Sequence, residues 1–286
     1  MNKLVSFTVL VAVSCALIGN ASAKDNPILN DRFAIYIGGF FPQVDSSLRI
    51  DGDIIGPGDG LDAENVFGLE DSKSVLWGGV SWRISRRNSL EFEFADLNRN
   101  GFVQAATDEL DIGDSIVQAG ASIDSKFDLT LGRLTYGFSI LKDEKKDLAV
   151  KAGLHIADIG VGLFFTGAVC VDGEVPPNCS IFGSTPRLES EEVTAPLPHL
   201  GGSFSYAFTP NIAARFQVIG FAIELDSIDG SLLEIDADLV WTPWDHFGLG
   251  AGVRYFNVNV KSNGSDLNGE FDFNYFGPSI YGIFTF

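Results

Sequence analysis

The chain contains three histidines, His155, His199 and His246. A histidine does general acid–base work when a nucleophile or an orienting carboxylate comes within hydrogen-bond reach. Ser203 and Ser205 follow His199 at even spacing, so they share its face in an extended segment. Asp158 lies just past His155. These residues define one expectation, a lipid-modifying or proteolytic enzyme built on His155 or His199. No G-x-S-x-G elbow accompanies them. His246, in "TPWDHF", has no chemical partner nearby in sequence. The simpler expectation is that His155 and His199 are satisfied interior side chains. The protein is then not an enzyme and needs no cofactor.

Charged residues form a second set. Arg83, Glu91, Glu93, Arg133, Lys151, Arg215, Glu234, Asp236, Asp238 and Arg254 all fall on the polar face of segments that alternate apolar and polar residues. Such a set either lines a pore or fills a narrow interior as a salt-bridge network, and the filling network is the expectation. The acidic run Glu234, Asp236 and Asp238 is expected to pair with Arg215 and Arg254, because an unpaired charge in a low-dielectric wall is costly. A third set is "DGDIIGPGDGLDAE", with Asp51, Asp53, Asp59, Asp62 and Glu64. Calcium takes roughly six to eight oxygens. Ile55 stands where an EF-hand needs another oxygen ligand, so no metal site is assigned and a solvated loop is expected. Finally, Cys170 and Cys179 bracket "CVDGEVPPNC". In an exported chain that spacing implies a local disulfide.

Export is implied by the first residues. Met1-Asn2-Lys3 is a positive n-region, Leu4 to Ile18 is an uncharged apolar run, and Ala21-Ser22-Ala23 offers a cleavage site. Residues 1–23 therefore read as a signal peptide, and 24–286 as the mature domain. A lipoprotein signal at Cys15 is the weaker alternative, since "AVSC" fits that motif poorly. Cleavage removes Lys3 alone among the charges, leaving 18 basic against 38 acidic residues. A chain this acidic offers no basic patch to nucleic acid. No mature stretch reaches the about 18 uninterrupted apolar residues of a membrane helix. Yet 45% of the residues are hydrophobic, 24 of them Phe. A membrane chain without helical spans has the closed β-barrel as its other backbone solution.

The period of the sequence is two. "SLEFEFAD" places Leu90, Phe92 and Phe94 on one face and Glu91 and Glu93 on the other. "LLEIDADLVW" and "GSFSYAF" repeat the pattern. Apolar residues outward and polar residues inward suit a barrel in lipid. Strands are expected near 32–43, 74–85, 88–100, 124–141, 147–165, 195–208, 211–225, 231–242, 246–261 and 270–286. Short turns then alternate with long loops at 44–73, 101–123, 166–194, 226–230 and 262–269. About ten antiparallel strands result, with eight as the alternative. Around Gly132-Arg133, and between Ile156 and Ile159, the apolar residues change face. Bulges would do this, and so would strands rising above the membrane. Trp82, Trp241 and Trp244 fall near short-turn strand ends and read as an interfacial girdle; Trp77 points inward.

The signal peptide ending "ASA", the strand segments "FAIYIGGFFP" and "SLEFEFAD", and the final "SIYGIFTF" together resemble the small outer-membrane β-barrel proteins of Gram-negative bacteria, of the OmpA, OmpX and OmpW type. The resemblance covers the mature chain as an architecture. It implies an outer-membrane location with both termini periplasmic. Ile280, Phe284 and Phe286 match the terminal signal that the barrel assembly machinery reads, with periplasmic chaperones acting earlier. Outer-membrane lipid and lipopolysaccharide are the implied partners. The function expected is a non-enzymatic barrel, structural or a narrow passive channel for small solutes. The other expectations are the barrel enzyme above and a surface-interaction protein acting through its long loops.

Overall fold

A computed structural model describes residues 26–50, 60–104, 110–112, 115–171, 180–225, 228–263 and 268–286. The expected signal peptide lies outside the described residues, as do Asp51, Asp53, Asp59 and Cys179.

In chain order the elements are α1 (Pro27–Asn30), β1 (Phe33–Phe40), β2 (Gln43–Ile50), β3 (Leu61–Asp62), α2 (Ala63–Val66), β4 (Val75–Arg83), β5 (Asn88–Val103), β6 (Leu110–Ile112), β7 (Ser115–Val117), β8 (Ser122–Lys142), β9 (Lys146–Val171), β10 (Ser180–Thr209), β11 (Ile212–Leu225), β12 (Ile228–Trp241), β13 (Phe247–Asn263) and β14 (Asn268–Thr285). β1, β4, β5 and β8 to β14 pair in sequence, and β14 returns to β1, closing a barrel of ten antiparallel strands. The closing seam runs from Ala34 opposite Thr285 to Phe40 opposite Ser279. Phe286 extends it: its carbonyl accepts the N–H of Arg32 and Phe33 at 2.7 and 2.9 Å. The apolar C-terminus is therefore paired backbone, and this seam leaves no free edge.

Three loop expectations need correction. The segment 166–194 is not mainly loop, because β9 runs to Val171 and β10 starts at Ser180. The segment 44–73 is built structure: β2 continues the lane of β1 after Phe41-Pro42 and pairs with β14 from Phe276 to Gly269. Pro42 has no N–H to give a ladder, which accounts for the break. The connection at 226–230 is also short, since β11 and β12 pair as far as Leu225 and Ile228.

The change of face comes from a change of surroundings along unbroken strands. β8 and β9 pair in constant register from Ser122 opposite Thr166 to Ser139 opposite Ala149. Within β8 one face carries Ile123, Phe127, Leu129 and Leu131, then Arg133, Thr135 and Ser139, and it is mostly buried throughout. Its other face carries Asp124, Lys126, Asp128 and Thr130, then Leu134, Tyr136, Phe138 and Ile140. No bulge separates the two halves. Near the short turns the barrel is apolar outside and polar inside; near the long loops it is polar outside and apolar inside. The first half has the solvent order of lipid, the second that of water.

The apolar outer band on β14 runs from Phe276 to Phe286, with Ile280 61% exposed at its middle. At a rise of about 3.3 Å per residue and a tilt of about 40°, that run stands about 25 Å tall, the height of a hydrocarbon layer. At its upper rim Asp96, Thr130, Asp158 and Thr194 stand side by side in register across four strands. Thr130 donates to Asp96 at 3.1 Å and Thr194 to Asp158 at 3.3 Å. At the lower rim Phe33 stacks on Trp82 at 5.9 Å, and Trp241, Trp244, Phe247 and Phe284 follow in contact.

Candidate functional site

Inward parity brings nearly all the expected charges into one polar layer inside the lipid-level half. Arg133 on β8 is its hub. Its guanidinium lies 3.0 Å from Glu93, bonds Glu234 and comes within 3.8 Å of Asp236. Arg254 on β13 bonds Glu93 at 2.9 Å, lies 3.9 Å from Asp236, and rests 3.6 Å above the Trp77 ring. Tyr36 donates to Glu93 at 3.1 Å. Lower down, Lys151 joins Glu91 at 2.6 Å and also bonds Gln217, which donates to Asp236 at 3.2 Å. Arg83 and Lys142 share Asp147 at 3.2 and 2.8 Å.

The pairing follows expectation for Asp236, which lies beside Arg254, and for Asp238, which stands opposite Arg215, and differs at Glu234, which Arg133 and His155 hold. The reason is reach across the lumen: Arg133 and Glu234 sit on strands that share no pairing, and a narrow barrel lets them meet through its centre. Tyr36, Gln217, Lys142 and Asp147 belong to the network although sequence reasoning did not name them. Gln217 shares the parity of Arg215, which was the available signal.

His155 and His199 meet within this layer, both 2% exposed. The His155 Nε2 lies 3.0 Å from Glu234, the two Nδ1 atoms are 3.0 Å apart, and His199 Nε2 lies 3.1 Å from the Thr135 hydroxyl. One assignment satisfies every atom with both rings neutral. Thr135 donates to His199, His199 donates through Nδ1 to His155, and His155 donates through Nε2 to the Glu234 carboxylate. Gly153, opposite His199, makes the room; a Cβ there would come within 2.7 Å of the His199 ring. Ser203 and Ser205 line the lumen nearer the short turns, and Asp158 faces outward in the rim. Neither forms part of the histidine chain. His246 instead bonds the carbonyl of Thr285 at 3.0 Å and stacks on Phe286.

Above the polar layer the lumen is filled with hydrocarbon. Phe127, Phe256, Phe271 and Phe273 pack together, joined by Leu97, Leu129 and Val258. Leu61, Ala63, Phe67 and Leu69 enter from the segment after β2. That segment also fills a gap in the wall. β4 stops at Val75, so above it β2 and β5 have no strand between them. Bridges from Gln43 to Ser72 and from Leu69 to Gly101 close the gap. Arg99 of β5, with no exposed surface, ties it: it bonds Glu64 of α2, donates to Ser46 of β2 at 2.9 Å, and lies 4.7 Å over the Phe127 ring. Glu64 was grouped with the acidic loop by sequence; here it neutralises Arg99. Asp62 caps α2, accepting from the N–H of Asn65 at 2.8 Å.

Below the polar layer α1 crosses the short-turn end. Leu29 is fully buried against Ala207 and Ala213. Asn26 donates to the Thr209 carbonyl at 3.0 Å, and Lys142 to that of Leu29 at 2.5 Å. One cavity among the interior charges is about 80 Å3, and another, lined by Arg133, His155 and Glu234, is about 30 Å3, together the space of a few waters. Among the described residues no group of three or more His, Cys, Asp or Glu is placed to hold a metal. Cys170 is buried and disulfide-bonded.

No known family model matches this chain, and no curated protein matches it in sequence. Among solved structures, the outer-membrane protease OmpT from Escherichia coli superposes with a TM-score of 0.60 at 10% identity, over 93% of this chain and 99% of that one. The toluene transporter TodX of Pseudomonas putida aligns with a TM-score of 0.39 at 8% identity, over 91% of each chain. Ail of Yersinia pestis aligns at 0.32 and 14% identity, over 88% of this chain and 99% of its own. At 10% identity the likeness to OmpT is one of fold. The ten-strand closure, the apolar outer band and this likeness agree: the chain is a small β-barrel of the outer-membrane type.

Proposed function

We propose that this protein is a sealed, non-enzymatic outer-membrane barrel that holds its long-loop end rigidly above the membrane. Both termini lie on the periplasmic side, where the short turns are. The observation that carries the reading is the filling of the lumen in layers: α1 below, the Arg133 network at lipid level, and the phenylalanine core with its Arg99 tie above. A passive channel would need a continuous wet path, and the phenylalanine layer interrupts one. A barrel enzyme would need a histidine with an open approach. Thr135, His199, His155 and Glu234 instead use up one another's hydrogen-bonding groups inside the wall. The half above the lipid has a protein-like core, so it supports the loops as a stiff stalk, the role of a surface-interaction protein. Lipid and lipopolysaccharide contact the outer band and its polar rim. Ile280, Phe284 and Phe286 serve assembly, and the disulfide of Cys170 braces the far end of β9. The test is swelling of liposomes that carry the refolded mature chain, in isosmotic small sugars. The reading expects no swelling above that of empty liposomes; swelling that rises with protein content overturns it.

A further inference from the structure

The short-turn end carries a hollow that the sealed barrel does not need. Its volume is about 490 Å3, and Arg32, Arg83, Arg86 and Lys142 line it. The acids on its wall do not balance these cations. Asp143 is committed to its own turn, accepting the N–H of Lys145 and of Lys146 at 2.8 Å each. Those bonds, that of Lys145 foremost, hold its carboxyl below the usual range. Glu144 is exposed at the rim. Arg83 and Lys142 share the single carboxylate of Asp147, and the Arg83 Nε–H has no hydrogen-bond partner. A mature chain of 18 basic and 38 acidic residues has thus gathered cations at one corner of one end.

The position of the hollow says what kind of anion would use it. Ile84 belongs to its lining and is 43% exposed. Trp82, two residues back, lies in the aromatic rim stacked on Phe33. A ligand here meets guanidinium groups on one side and the apolar band on the other. We infer that this hollow binds the phosphate of an anionic phospholipid from the adjoining leaflet, with the acyl chains lying on the band beside Trp82. Arginine matches phosphate through its planar donor fork. The inference needs only the barrel's placement in a membrane, and it stands or falls separately from the sealing of the lumen.

The test is native mass spectrometry of the folded chain, released from neutral detergent with phosphatidylglycerol, with phosphatidylcholine, or with free glycerophosphate. Phosphatidylglycerol adducts should outlast phosphatidylcholine adducts. Arg32→Gln with Arg86→Gln should weaken phosphatidylglycerol binding, roughly fivefold for each charge removed. Glu144→Gln should strengthen it, which tests the site without removing any cation. Equal binding of the two lipids, or no response to either variant, would overturn the inference. Glycerophosphate binding as tightly as the lipid would overturn its lipid form.

Discussion

Arg99 on β5 and Glu64 on α2 join two pieces of wall that are otherwise linked, among the described residues, by single bridges rather than a strand ladder. Their ion pair sits under Phe127, with Ser46 of β2 as the third partner. Removing one member of a buried pair strands the other. Arg99→Ala is expected to cost about 3–5 kcal/mol in urea unfolding from lipid vesicles. It should also make the segment between β2 and β4 the first site of protease cleavage. Unchanged stability together with an uncut segment would show that Arg99 does not hold the wall closed.

The Arg133 hub makes a sharper prediction through a pair of substitutions. Arg133→Met alone leaves Glu234 with His155 and should cost about 3–5 kcal/mol. Adding Glu234→Leu replaces the ion pair with hydrocarbon of similar volume and should recover most of the loss, because two desolvation penalties disappear together. A double variant as unstable as the sum of the singles would mean that the two residues act independently.

The histidine chain is expected to be structural. His155→Ala and His199→Ala each leave buried polar groups without partners, so each should cost about 1–3 kcal/mol. Both variants should still fold and keep their resistance to unfolding in dodecyl sulfate without heating. Turnover of phospholipid, lipid A or peptide by the wild type, lost in His199→Ala, would refute the non-enzymatic reading.

A charge scan locates the membrane. Ile280 lies at the middle of the apolar band and Asn100 on the outer face of the half beyond it. Ile280→Arg should cost about 2–4 kcal/mol in vesicles, and Asn100→Arg close to nothing. Equal costs at the two positions would remove the basis for assigning the two halves to lipid and to water.

Much of this architecture was legible because a strand's period of two is a local property. Leu233 to Trp241 alternate so cleanly that inward Glu234, Asp236 and Asp238 follow from parity alone. Arg254 beside Asp236 and Arg215 opposite Asp238 followed as well, since they lie on neighbouring strands; the Arg133 partner of Glu234 did not, because it comes from across the lumen and the sequence carries no trace of that distance. The switch near Gly132 was visible but ambiguous, since a bulge and a change of solvent give the same pattern. The unbroken register of β8 on β9 resolves it. Segment 44–73 read as solvated because its Asp and Gly residues dominate its composition. Leu61, Phe67 and Leu69 were the contrary signal, spaced too irregularly to reveal a plug by period. Arg99 was missed because it lies beyond the switch, on a face that had become hydrocarbon, where a charge is not expected without its partner.

Conductance of the refolded mature chain in a planar bilayer tests the central claim most directly. The filled lumen predicts a silent membrane for folded wild-type protein at any salt gradient. Discrete, stable steps from that same folded protein would contradict it, and would mean that the phenylalanine layer and the Arg99 tie do not seal the barrel.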